Sequence, residues 1–409
     1  MRTLILLILL AAIGCVLDRE QRGGRFQRAD DLFLDFLVAN ARERFEAVGG
    51  GASDQVVFVR MREEDRAEYA SWPPAPLDWQ MVLKGLARFE PDVVVIATPL
   101  TWGLPAPEFV SQAGQALLPF PSVVMAVTGR TDTGETAGNV ASAGAAAVLK
   151  ENMPAIAHLD GEAGLLPLLQ EITALPDEGV RSQMELGIVV APADDPKTQQ
   201  QPLLVRCGDF VAPSLVLQAL ARHSRTPYAH QRFRIGAGAG AHLGGGIFVP
   251  LQNDGSLAVR PSTAVASVNA LDFIAGDLAE SLNAADKAKL GRNKIIVVGI
   301  DNDSPHPSSA RMQAGALAAV LALPRIHAIG QIERWIVCAI AAVLGCLLLR
   351  HRGGKAFRSG LLLIFAALVA SFLIFRSQLM WFPPAVPSAL LAASTLFAML
   401  FGRKPSSAA

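Results

Sequence analysis

Asp301, Asp303 and His306 come closest, in type and spacing, to a chemical site. They follow the apolar run Lys294-Ile-Ile-Val-Val-Gly-Ile300, which reads as a strand. In α/β sheets, ligands gather at the carboxyl ends of strands. Two carboxylates and an imidazole could hold a divalent cation or a ligand. The competing reading is a polar loop bounded by Pro305 and Pro307, because the sequence places no third carboxylate beside them.

No other segment carries a catalytic signature. The sequence has no phosphate-binding P-loop, no nucleophile elbow, no zinc-protease helix motif and no EF-hand loop. His158, His223 and His230 have no acid or nucleophile at a diagnostic spacing and read as surface or structural residues. Asp194 and Asp195 sit in a proline-flanked polar stretch that reads as a solvated loop. Gly236, Gly238, Gly240 and Gly244 to Gly246 surround His242, but Ile247-Phe-Val-Pro250 after them reads as a strand. A phosphate cradle needs a helix there, so a flexible connection is expected. Trp72 and Trp79 read as turn and core packing. The expectation is therefore a protein that is not an enzyme and holds no cofactor and no metal.

Cys15, Cys338 and Cys346 lie in apolar runs, and Cys207 stands alone in the polar middle, which therefore cannot close a disulfide within itself. No cysteine or histidine pattern has zinc spacing.

The composition points to a membrane. Of 409 residues, 51% are hydrophobic and 18% charged, with a net charge of zero. The mean hydropathy is +0.36. That richness in apolar residues excludes a disordered chain, and the neutral total argues against a nucleic-acid binder. The charges are segregated. Asp18 to Arg334 holds 28 basic and all 36 acidic residues, a net of −8, while Trp335 to Ala409 holds seven basic residues and no acid.

Thr3 to Leu17 is an apolar run that would rise only about 22 Å as a helix, short of a membrane core of about 30 Å. Three readings stand: an uncleaved anchor, a cleaved signal peptide, and a lipoprotein acylated at Cys15. The missing small-residue cleavage site favours the anchor. Trp335–Leu349, Ser359–Phe375 and Ser377–Gly402 are further uncharged or nearly uncharged runs, the last entering through Pro383, Pro384 and Pro387, with its helix expected from about Ser388. The loop Arg350 to Arg358 holds four basic residues, and Arg403 and Lys404 follow in the tail. The positive-inside rule puts both in the cytoplasm and residues 18–334 outside. Residues 1–17 are then the anchor, 335–402 a three-helix bundle in the lipid bilayer, and 403–409 a cytoplasmic tail.

Strands and helices alternate through the external part. Strands are expected at Gln55–Met61, Asp92–Thr98, Ser122–Thr128, Leu186–Val190, Leu203–Cys207, Ile247–Pro250, Leu257–Arg260 and Lys294–Ile300. Helices are expected at Asp78–Phe89, Val140–Lys150, Pro213–Arg222, Ala270–Leu282 and Ser309–Leu323. Continuous Val and Ile runs imply a sheet covered on both faces. The fold class is α/β, with a mixed, mostly buried central sheet flanked by helices.

The order of local motifs resembles the CHASE family, second type, an extracellular sensory domain associated with bacterial cyclases and histidine kinases. The resemblance rests on Arg28-Ala-Asp-Asp-Leu-Phe-Leu-Asp-Phe-Leu37 as a leading amphipathic helix. It continues through Trp72-Pro73-Pro74, Leu83, Leu86 and Pro91-Asp92-Val-Val-Val-Ile-Ala-Thr98. Arg206, Gly208 and Pro213-Ser214-Leu215 follow, then Asn253-Asp254-Gly255, Phe273-Ile-Ala-Gly276-Asp277, Lys294 to Gly299, and Gly315 with Ala318-Ala319. The family often carries an Asp where Thr98 or Pro99 stands here. The resemblance implies a bacterial inner-membrane protein whose external domain binds a small ligand or an envelope protein, and it admits a homodimer. Such domains normally lead through three helices to a kinase, phosphatase or cyclase. No such output follows Phe401 here, so a separate cytoplasmic signalling partner is expected. The alternative is an assembly subunit of an envelope complex.

Overall fold

The computed structural model describes residues 2–22, 25–46, 53–102, 107–132, 143–182, 184–190, 200–258, 265–274, 284–302 and 308–402. The chain divides into two units. One comprises residues 44–324 and the other residues 1–43 with 325–409.

The first unit is built on a nine-stranded sheet. Its strands are β1 (Val56–Arg62), β2 (Val93–Ile96), β3 (Val123–Asp132), β4 (Leu168–Ala174), β5 (Glu185–Val190), β6 (Leu204–Cys207), β7 (Phe210–Pro213), β8 (Ala266–Asn269) and β9 (Ile295–Asp301). The spatial order is β8-β1-β9-β2-β3-β4-β6-β7, with β5 also paired to β3. Strands β8, β1, β9, β2, β3 and β5 form a parallel block. The outer edge of β3 is shared, with β5 parallel along its first part and β4 antiparallel beyond. The sheet is thus mixed.

Both faces of the block are covered, which is why its strands are almost wholly apolar. Val57, Val59, Val94, Ile96, Ile296 and Val298 meet Trp79, Val82, Leu83 and Leu86 of α1 (Pro76–Ala87) on one face. Val110 of α2 (Pro107–Gln115) packs into the same face. Phe58, Val93, Val95, Ile295 and Val297 meet Leu217 and Leu220 of α3 (Leu215–His223) on the other. A further helix on the first face, α4 (Leu271–Ile274), contributes Phe273. The last helix, α5 (Ser309–Leu321), lies on the second face through Ala310, Ala314, Leu317 and Val320.

Expected and observed elements agree to within a few residues at most positions. The glycine-rich run differs. It contains a strand, Gly240–His242, paired antiparallel with Arg232–Ile235 and Phe248–Pro250 in a separate small sheet. Gly236 and Gly238 adopt φ of 89° and 74°, a left-handed geometry that lets the chain reverse. The run is therefore a hairpin turn and not a loose connection. Of the helix expected at Ala270–Leu282, Leu271–Ile274 is observed and the rest lies outside the described residues.

The second unit is helical. Its first helix runs from Arg2 to Arg22, longer than the apolar run. Its 21 residues rise about 32 Å, and the part beyond Leu17 is charged, so the apolar stretch remains short of a membrane core. Gln331–Leu347 continues in a tighter turn to Arg350, and Gly354–Gln378 follows. Both are long and apolar enough to cross a membrane. Lys355 and Arg358 fall inside the second of these helices, so the basic connection is shorter than expected.

Ala385–Phe401 starts earlier than Ser388. Pro387 is accommodated in the first turn, where a missing N–H costs nothing. This helix packs against the other three through Leu390, Leu391 and Ala398, with Leu6, Leu10, Ala341 and Ala356. Gly345 and Gly360 leave room for Ser394 and Thr395, whose atoms a Cβ at either glycine would overlap. Small residues at helix contacts of this kind allow close approach in lipid. Outside the bundle core, Ile336, Ile340, Leu361, Leu362, Phe365 and Leu396 are exposed. The Gln27–Asn40 helix adds a buried carboxylate, Asp30, that accepts from Gln21 Nε2 at 2.8 Å and from the Ala385 N–H at 3.1 Å.

Candidate ligand crevice

The strands of the parallel block leave the sheet in different directions. After β1 and β2 the chain turns to α1 and α2 on one face. After β9, which lies between β1 and β2, it turns to α5 on the opposite face. Adjacent loops that diverge in this way open a crevice at the carboxyl ends of the strands. A cavity of about 280 Å³ lies there. Ala97, Thr98 and Pro99 after β2, Thr128 of β3, and Ile300 and Asn302 at the end of β9 line it from the sheet. Glu63, Trp72, Ser308, Ser309 and Ala310 complete its lining among the described residues.

Each wall has an identifiable support. Gly299 lets α5 reach the sheet, because a Cβ there would stand 2.5 Å from the Ala310 Cβ. Thr98 Oγ1 accepts from the Ile300 N–H at 3.1 Å and ties β2 to β9 at the floor. The position where the family often has an acid is thus a strand fastener in this chain. Trp72 is held by the turn around it. Asp78, buried at the start of α1, accepts from the N–H groups of Ala70 and Ala75. Trp102 Nε1 donates to the Pro74 carbonyl at 3.0 Å, and Tyr69 packs against Trp72 in a tilted pair with centroids 5.6 Å apart. The tryptophan–proline turn is therefore packing, as the sequence indicates, and it also presents Trp72 to the cavity.

Asp301 sits at the end of β9 and is fully buried. Its carboxylate accepts from Ser308 Oγ at 2.8 Å and from the Arg311 guanidinium at 2.5 Å. It fastens the first turn of α5 and faces a cation already. Asp303 and His306 lie outside the described residues, as do Asp194 and Asp195. Among the described residues no group of three metal-ligating side chains comes together.

Ser308 caps α5, and its Oγ accepts from the Arg311 N–H at 3.2 Å. The Met312 N–H bonds the Ser308 carbonyl at 3.0 Å. The first two N–H groups of the helix, those of Ser309 and Ala310, have no partner among the described residues. Ser309 Oγ is shielded from solvent and also has none.

The histidines divide. His158 and His230 are exposed. His223 does find an acid, 131 residues away in sequence: its Nδ1 lies 2.9 Å from Asp92 Oδ2, and Arg225 donates to Asp92 Oδ1 at 3.0 Å. Only folding reveals this group, since no local spacing encodes it. It stands at the amino end of β2, away from the crevice. Cys207 is buried, and burial pushes its thiol up to about 12, so it is chemically inert.

A doubly wound α/β domain with an open crevice at its strand ends belongs to the class that holds small molecules between loops. The CHASE2 domain model matches residues 4–347, most of the chain, and the chain belongs to that family. CHASE2 is an extracellular sensory domain. The match runs beyond the α/β unit into the first helix and the Gln331–Leu347 helix. No curated protein and no solved structure gives a significant match.

Proposed function

We propose that the chain is a multi-pass protein of the bacterial inner membrane whose external domain, residues 18–334, senses a stimulus and passes it to a separate cytoplasmic partner. The observation that carries this reading is the crevice at the carboxyl ends of the strands in a domain of a sensory family. The segregated charge and the exposed apolar helix faces support four spans with a cytoplasmic carboxyl terminus. A ligand that binds one conformation of the domain better shifts the population toward it. The chain leaves the α/β unit at Pro324 and reaches the Gln331–Leu347 helix within a few residues, so that shift acts on this helix.

The test is crosslinking in native membranes, with mass-spectrometric identification, for the full chain and a version ending after Arg334. A cytoplasmic kinase or cyclase captured with the full chain alone is the expected result. Capture of the same envelope proteins by both versions, and of nothing cytoplasmic, would replace signalling with an assembly role.

A further inference from the structure

We infer that the Gln27–Asn40 helix is seated on the membrane, with its Leu32–Phe36 side dipped into the outer leaflet and a lipid surface as its partner. The inference rests on the membrane placement proposed above and adds to the spans an element that does not cross.

The sequence of this helix carries two apolar arcs. At about 100° per residue, Asp30, Leu34, Leu37 and Val38 fall on one side. All four are buried. Ala29, Leu32, Phe33 and Phe36 form the second arc, at spacings of three and four residues. The protein leaves this arc uncovered, with Leu32 60% and Phe36 53% exposed. Arg28, Asp31 and Asp35 take the remaining side. A stripe of large apolar side chains beside a charged side is the pattern of a helix that lies at a membrane boundary.

Aromatic contacts fix its level. The Phe36 ring meets Phe372 of the Gly354–Gln378 helix with centroids 6.1 Å apart, and Phe33 meets Trp381 at 6.3 Å. Phe372 stands one turn before Arg376, where the apolar run ends, and Trp381 follows just beyond the helix. This is the border between hydrocarbon and headgroups, where tryptophan gathers. Asp30 fixes the rotation. Its carboxylate accepts from Gln21 Nε2, near the end of the first helix, and from the Ala385 N–H, at the start of the last. Leu32 and Phe36 stand on average about 140° around the helix from Asp30. These two bonds therefore turn them away from the helix ends to which Asp30 is tied.

Continuity identifies the occupant. On the Gly354–Gln378 helix, Leu362, Phe365, Val369 and Leu373 recur at spacings of three and four residues and are all exposed. Leu373 adjoins Phe372, which touches Phe36. The apolar surface of the span thus runs on into the Leu32–Phe36 arc, and lipid that covers the first reaches the second. Charge sets the kind of contact. Asp30, Asp31 and Asp35 outnumber Arg28, so the helix is held by apolar insertion and not by attraction to anionic headgroups.

The test is photolabelling of the full chain in phosphatidylcholine nanodiscs that contain a phospholipid with an aryl diazirine high on its acyl chain, read by peptide mass spectrometry. Adducts are expected on Leu32, Phe33 or Phe36, in a yield within about threefold of that on the Gly354–Gln378 helix. Added phosphatidylglycerol should leave the yield unchanged. Leu32→Glu should lower labelling of the Gln27–Asn40 helix at least threefold and leave the Gly354–Gln378 helix labelled as before. Leu32 is exposed, so the melting curve of this variant in detergent should match the parent. A labelled Gly354–Gln378 helix beside an unlabelled Gln27–Asn40 helix would overturn the inference and leave the membrane placement standing. Crosslinks between two copies of the unlabelled helix would then give its face to a second chain. A yield that depends on phosphatidylglycerol, or a Leu32→Glu variant labelled like the parent, would also overturn it. Absence of label from both helices would defeat the membrane placement and this inference with it. The expected labelling without cytoplasmic capture in the crosslinking experiment would sustain this inference and defeat signalling.

Discussion

The two ends of the parallel block share the same strands and are finished in opposite ways. At the amino end, Asp92 is closed by His223 and Arg225, Arg292 pairs with Glu90, and Lys294 Nζ donates to the Asp54 carbonyl at 2.6 Å. The polar groups there are joined to one another. At the carboxyl end, the loops of β2 and β9 part toward opposite faces and leave a cavity. The amino end holds the sheet, and the carboxyl end, fastened by Thr98 and Asp301, also leaves an open space. This is the division expected when stability and binding are separated along one set of strands.

The sharpest way to break the contrast is to remove the buried carboxylate that fastens the start of α5. Asp301→Ala leaves the Ser308 hydroxyl and the Arg311 guanidinium without their acceptor and empties a fully buried position. Losing one partner of a buried pair costs about 3–5 kcal/mol, and partial exposure of Arg311 places this case near about 3 kcal/mol. Urea unfolding of the full chain in detergent would measure it. A loss below about 1 kcal/mol would mean that Asp301 is not the fastener of α5.

Gly299→Val tests the wall and not the charge. Its side chain would collide with Ala310 and push α5 off the sheet. Overpacking of this kind costs about 1–3 kcal/mol. Hydrogen exchange should quicken in the first turn of α5 and in β9, while the amino-end amides of β2 stay protected. Uniform loss of protection would show that the two ends are not separable. Asp92→Ala, at the other end, removes charge-assisted hydrogen bonds to one half-buried and one exposed partner and should cost about 1–2 kcal/mol. It should leave the crevice and its ligand binding unchanged.

Much of this contrast was legible in the sequence, and the reasons are particular. The runs Asp92–Thr98 and Lys294–Ile300 announce a covered parallel sheet because both faces need apolar residues. The crevice lies beyond the strand end at Ile300, the side on which the sequence set its candidate residues. What sequence could not give is which side chains meet there. Glu63, Trp72, Thr98 and Ser309 come from four separate segments, and only the sheet order β1-β9-β2 brings them together. Asp301 looked like a ligand because Arg311, ten residues on, returns to it by one helical cap that spacing alone does not reveal. The pairing of His223 with Asp92 was hidden for the same reason. The long apolar helices were easier, since uncharged length is a local property.

Charge balance gives the smallest effect and separates the ends most cleanly. The amino end sets Asp92 against two basic side chains. Near the carboxyl ends of β1 and β8, Arg62 pairs with Asp65 and acts on Asp272 from a distance, and Asp286, paired with Lys289, lies nearby. Burial, and then the neighbouring Asp286, raise the Asp272 carboxyl above its ordinary value of 3.8. The folded chain therefore binds a proton more readily than the unfolded chain just above pH 3.8. In that window the contribution of Asp272 to stability falls as pH rises, because the unfolded state gives up its proton first. Above the raised value the contribution is constant and unfavourable. Asp272→Asn should flatten this part of the stability profile and slow hydrogen exchange slightly in Leu271–Ile274 at neutral pH, with no change around Asp92. A slope that survives the substitution would assign the acid excess to Asp65 or Asp286 and move the difference between the two ends from β8 to β1.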